Sequence, residues 1–213
     1  MQTGAMPALP RLLAALLPAA LAGCATTAPA LAPPQEVFWQ ALSSHCGHAY
    51  EGALVSTQAA DADMAGRPMA MHVRTCSDTR IEVPFHVAQA DGAWDRSRTW
   101  IFTRTPAGLR LKHDHRHADG SADVLTMYGG DTAAPGTSRA QDFPVDGESV
   151  ALFLREERAV SVTNVWRVEV DAAGTPGARF AYQLSRPAPD GRLFRVEFDA
   201  ARPVLPPPAP WGW

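Results

Sequence analysis

Ten short runs of strand-forming residues, with little helical signal between them, constrain this chain more than any other feature. They cover residues 52–58, 69–77, 79–87, 98–105, 108–117, 122–128, 137–143, 160–171, 178–186 and 192–199. Several alternate in character: Ile81, Val83, Phe85 and Val87 share one face, as do Phe180, Tyr182 and Leu184, and Phe194, Val196 and Phe198. A period of two belongs to antiparallel strands with one face in a core and the other in water. Turn residues punctuate the runs, among them Pro106-Ala107-Gly108, Asp119-Gly120, Gly129-Gly130-Asp131 and Asp190-Gly191. Strands joined in this way form a meander, and a sheet with so many strands curls or closes because open edges invite aggregation. The expected fold is mainly β, an antiparallel up-and-down β-barrel or half-barrel, with a two-sheet sandwich as the alternative.

Two segments break the strand pattern. Residues 35–44 carry Val37, Phe38, Ala41 and Leu42 on one helical face, which predicts a short N-terminal helix. Residues 150–157 read as a second short helix, preceded by the capping run Asp146-Gly147-Glu148-Ser149. Residues 205–213 contain Pro206, Pro207, Pro208 and Pro210, which cannot donate to a ladder, and so read as an extended tail ending in Trp211 and Trp213.

The N-terminus is more specific. Arg11 precedes an apolar run, 12–22, of the length of a signal-peptide core and too short to span a bilayer; translation can start at Met1 or at Met6. The run ends in Leu21-Ala22-Gly23-Cys24, which resembles the lipobox of bacterial lipoproteins. The resemblance implies cleavage before Cys24 and acylation there, palmitate included. With Ala25 rather than Asp next, it implies an outer-membrane anchor facing the periplasm. The plan is then a signal peptide (1–23), a lipidated cysteine and Ala/Thr/Pro tether (24–34), one β-rich domain (35–204) and the tail (205–213). Ten residues of such a tether reach about 30 Å. The formal charge of −3 gives no reason to expect nucleic acid. The partner implied is the membrane, through the lipid.

Three cysteines occur. With Cys24 taken by lipid, Cys46 and Cys76 are an even pair in an oxidising compartment and are expected to form a disulfide. Of the seven histidines, His113, His115 and His117 alternate along one run. Leu109 and Leu111 share their face, while Arg110, Lys112, Asp114 and Arg116 occupy the other and are expected to meet solvent. The imidazoles therefore point inward, near the rim, about 6.6 Å apart by strand rise. A His-x-His pair can chelate one ion. A complete site needs further ligands, for which His72 and His86 on neighbouring runs and Asp123 are candidates, with zinc or another divalent transition metal such as copper or nickel as the cofactor. Alternatively the histidines line a ligand site together with Arg74 and Arg104, with Asn164 and Trp166 contributing a polar–aromatic pair, or serve only structural roles.

No nucleophile elbow, phosphate loop, dinucleotide fingerprint or His-Glu-x-x-His occurs, so no catalytic residue is assigned. The segments Arg-Thr-Trp-Ile-Phe-Thr-Arg-Thr (98–105) and Leu-Arg-Leu-Lys-His-Asp-His-Arg-His (109–117) resemble an uncharacterised family of bacterial secreted proteins and lipoproteins. The likeness extends through 71–76, 128–132, 163–166 and 194–198, and implies no activity. By architecture alone, a helix ahead of an up-and-down barrel is similar to the calycins, the lipocalin-like carriers. The leading expectation is an envelope lipoprotein that binds a small or amphipathic ligand in a β-barrel. The rival is a metal-binding protein or metal-dependent enzyme using His113, His115 and His117. A third reading is a structural or assembly lipoprotein that docks a partner through its Trp-bearing tail.

Overall fold

The computed structural model describes residues 1–4 and 28–213. The signal segment, Cys24 and the start of the tether lie outside the described residues. The first element, α1 (Pro33–Ser43), begins on two prolines, which suit a first helical turn because no intrahelical acceptor awaits their missing N–H. Phe38 and Leu42 are fully buried and Trp39 nearly so, which drives the apolar face of α1 into the core. Just beyond the helix, Cys46 is disulfide-bonded to Cys76, with Cα atoms 6.2 Å apart.

The strands form one antiparallel path. β1 (Ala49–Leu54) pairs with β2 (Met69–His72); the two-residue β3 (Thr75–Cys76) stands off the path against β4 (Arg80–Ala88), which continues it from β2. β5 (Trp94–Thr105), β6 (Gly108–His115) and β7 (Tyr128–Asp131) follow in order. β8 (Ala140–Pro144), β9 (Val165–Val170), β10 (Arg179–Arg186) and β11 (Arg192–Asp199) make the other half, and β11 pairs back with β1. The first and last strands are thus neighbours, and the seam lies mid-chain between β7 and β8. A bridge between Gly130 and Val145, and an Asp146 N–H donating to the Gly129 carbonyl at 3.0 Å, draw the two edges together. The fold is a nearly closed ten-stranded up-and-down barrel rather than a sandwich.

The seam corrects the sequence reading. Gly129-Gly130-Asp131 is strand, and the run 122–128 that precedes it is mostly loop. Two glycines are needed because the backbones press together there. A Cβ on Gly129 would stand 1.9 Å from the Leu111 carbonyl oxygen, and one on Gly130 2.0 Å from that of Pro144. The sequence pattern saw the glycines and not the close approach. Residues 159–163 likewise form a 3-10 turn (Ala159–Thr163) ahead of β9, although the strand was expected to start at 160. The second helix is present as α2 (Gly147–Arg155), with the Asp146 side chain accepting from the Ser149 N–H at 2.8 Å.

Two further features place the site. β5 carries one extra residue against β4, since Phe85 lies opposite Arg98 while Val87 lies opposite Asp95. Residues three apart on a regular strand face opposite ways; Arg98 faces inward with Trp100 by alternation, and the bulge turns Asp95 inward as well, where the two form an ion pair of 2.6 Å. The outward set on β6 is not uniformly wet. Lys112 is 7% and Asp114 2% exposed, because Asp146 at the start of α2 pairs with Lys112 (2.7 Å) and the loop after β6 folds back so that Arg116 and Thr126 bond Asp114.

Candidate functional site

α1 and the strand ends around it fill one end of the barrel: Glu36 pairs with Arg104, Gln35 donates to Thr132, and His45 meets the Asp171 carbonyl. The other end keeps a pocket of about 180 Å³. Its apolar wall is Phe85, Trp100, Tyr182 and Phe194, each inward by the alternation of its strand. Trp100 stacks on Tyr182 (ring centroids 4.4 Å apart) and on Phe85 (4.9 Å). The polar lining is Arg98, His113, His115, Tyr128 and the pair Asp61–Arg192. Asp61 belongs to a 3-10 turn (Ala59–Met64) between β1 and β2, and its two-pronged bond to Arg192 at the start of β11 holds that turn across the barrel end.

The hydrogen-bond directions follow from which groups can donate. A backbone carbonyl only accepts, so the His113 contact with the Tyr128 carbonyl at 3.1 Å requires His113 Nδ1–H. Burial with no adjacent anion pushes the His113 pKa down to about 3, and the nearby His115 adds to that shift. The ring is neutral, and Nε2 accepts from the Tyr182 hydroxyl at 2.7 Å. Tyr182 spends its only proton on this bond, and burial holds its phenol well above the usual range. His115 contacts the Tyr128 hydroxyl at 3.1 Å. Burial first, then the positive charge of Arg98, lower its pKa to about 4, and burial lifts Tyr128 to about 12. At neutral pH both imidazoles and both phenols are uncharged. Arg98 gives one N–H to Asp95; among the described residues its Nε and Nη2 groups have no acceptor.

The residues singled out in the sequence divide accordingly. His113 and His115 come together in the pocket. His117 lies beyond the end of β6, with a side chain 57% exposed and 3.9 Å from Asp123. His72 and His86 sit on the outward face of β2 and β4, across the wall from His113, because their inward neighbours are Met71, Phe85 and Val87. The His86 Nε2–H donates to the Pro208 carbonyl, and burial lowers the pKa of both rings. Arg74 is exposed, and Arg104 is at the α1 end, bonded to Glu36 and over the Trp39 ring at 4.9 Å. Asn164 and Trp166 are packed core beside the pocket; Trp166 lies 5.1 Å from His113. Among the described residues no group of three or more His, Cys, Asp or Glu is placed to hold a metal, and both His113 nitrogens are already engaged. Arg98, Asp61 and Arg192 went unmarked in the sequence. Arg98 shares the face of Trp100 and Phe102 by plain alternation, whereas its partner Asp95 needed the bulge, and the Asp61–Arg192 pair needed a turn in an unassigned segment.

The tail lies on the barrel. Val204 bridges Ala49, the Trp211 N–H donates to the Arg96 carbonyl, and Arg96 sits 6.0 Å from the Trp211 ring.

Fold and site together define a β-barrel with room for a small molecule at one end. No family model and no curated protein matches the sequence. Among solved structures, a redesigned beta barrel, b11L5F_LGL, aligns at TM-score 0.32 with 11% identity over 75% of this chain and 94% of that one. A second, the redesigned beta barrel mFAP1 bound to DFHBI, aligns at TM-score 0.29 with 9% identity over 75% and 98%. At those scores neither informs ligand or activity.

Proposed function

We propose that this chain is an exported, lipid-anchored envelope protein that binds a small molecule in the end of its barrel opposite α1. The observation that carries the binding half is the pocket itself: an interior space with aromatic walls onto which a few polar groups converge, the usual make-up of a ligand site. Binding suits the groups better than catalysis does. His113 is held on both nitrogens and neutral, so it has no lone pair left for a substrate proton. The lipobox at Cys24 supports the anchoring half.

Native mass spectrometry of protein purified from its own host tests the binding. A single small adduct is expected, lost when Leu184, a pocket-lining residue, is replaced by Trp. Protein that is always bare, with the same melting temperature in both forms, counts against the reading. Labelled palmitate tests the anchor independently; incorporation abolished by Cys24→Ala is the expected result, and no incorporation into the wild type removes the lipoprotein half.

A further inference from the structure

We infer that the pocket takes a small single-ring molecule bearing one anionic oxygen group, with that group on Arg98 and the ring against the aromatic wall. This rests on the ligand-binding reading above and narrows it to a chemical class.

Size comes first. A cavity of roughly 150 Å³ is enough for benzene in a protein interior, so about 180 Å³ admits one substituted ring. The walls come next. Phe85, Tyr182 and Phe194 supply aromatic surface, and Leu184 and Met64 complete the apolar lining.

The polar groups then choose the charge. Arg98 lines the pocket with Nε and Nη2 free of acceptors among the described residues, and a guanidinium can only donate. Two such N–H groups suit a carboxylate, which accepts them side by side. Asp61 in the lining and Asp95 beside Arg98 are already occupied. Asp95 accepts from Arg98 and from the Ser97 N–H, and both oxygens of Asp61 accept from Arg192. Among the described residues that line the pocket, an ammonium meets Arg98 and no free carboxylate.

Titration of the full chain with four probes, followed by calorimetry and tryptophan fluorescence, tests this: benzoate, uncharged benzamide, benzylammonium, and the non-aromatic cyclohexanecarboxylate. Benzoate is expected to bind at least about tenfold more tightly than benzamide, with cyclohexanecarboxylate weaker than benzoate and benzylammonium silent. Arg98→Gln should bring benzoate down to the benzamide level and weaken benzamide far less than benzoate; Arg98→Lys should fall between. Benzamide or benzylammonium binding as tightly as benzoate overturns the inference but leaves a small-molecule site standing. A benzoate preference that survives Arg98→Gln overturns it as well. If no ring of any charge binds, the ligand-binding reading falls and the inference with it. Should Arg98→Gln fail to fold, by near-ultraviolet circular dichroism, the wild-type probe series decides alone.

Discussion

The Tyr128 carbonyl can only accept, and from that constraint the polarity of the whole pocket follows: His113 Nδ1–H, then Nε2 as acceptor, then Tyr182 as donor. Tyr182→Phe removes the last link and leaves a buried nitrogen lone pair without a partner. An unmet buried acceptor costs about 1–3 kcal/mol, so chemical denaturation should show a loss of that size with the fold retained. The neutral imidazoles have a second consequence. His113 and His115 have folded-state pKa values of about 3 and about 4, below the usual 6.5, so in mild acid the unfolded chain binds protons that the folded chain refuses. Their contribution is complete above about pH 6.5 and is lost as the pH falls, down to about 4 for His115 and about 3 for His113. Each ring should cost on the order of 1–2 kcal/mol between pH 6.5 and 5. Thermal melts across that range should show stability dropping with acid, and His113→Gln should make the slope shallower.

Elements were read from the sequence where alternation alone decides them. β4, β10 and β11 stand where Ile81–Val87, Phe180–Leu184 and Phe194–Phe198 predicted them, and both helices lie close to their expected bounds. What escaped depended on neighbours in space. β7 is built around Gly129 and Gly130, whose turn-like chemistry conceals a backbone crossing, and Lys112 and Asp114 looked wet because nothing in their own strand reveals the covering loop and helix. The site was half legible for the same reason. Alternation aimed His113 and His115 inward, and it aims Arg98 inward with Trp100, but the bulge that turns Asp95 in beside Arg98 has no signature in single-sequence periodicity. Gly130→Ala tests the seam: the Pro144 carbonyl cannot yield as a flexible side chain would, so a loss of about 3 kcal/mol or more is expected in denaturant melts. Reduction of Cys46–Cys76, which closes 30 residues, should cost about 3.5 kcal/mol by loop-closure entropy. Melts with and without reductant measure it.

At the scale of the whole molecule, the outer wall of β8–β11 is a lattice of ion pairs. Arg167 pairs with Asp142 and Glu169, and Arg195 with Glu169 and Glu197. Such a surface suits water and not hydrocarbon. No described helix is long and apolar enough to cross a membrane. The seam has its own test. Residues 133–139, between β7 and β8, are exposed, and a protease nick there should leave the two fragments associated, with unchanged far-ultraviolet circular dichroism and co-elution in gel filtration. The reason is that the chain is clasped head to tail at β1 and β11. Connectivity and closure are therefore separate properties here. The polypeptide behaves as a hoop whose buckle is its own first and last strands, so a gene for the barrel alone, rearranged to start and stop in the 133–139 loop with residues 33 and 204 joined by a linker, would encode the same hoop opened at a different link.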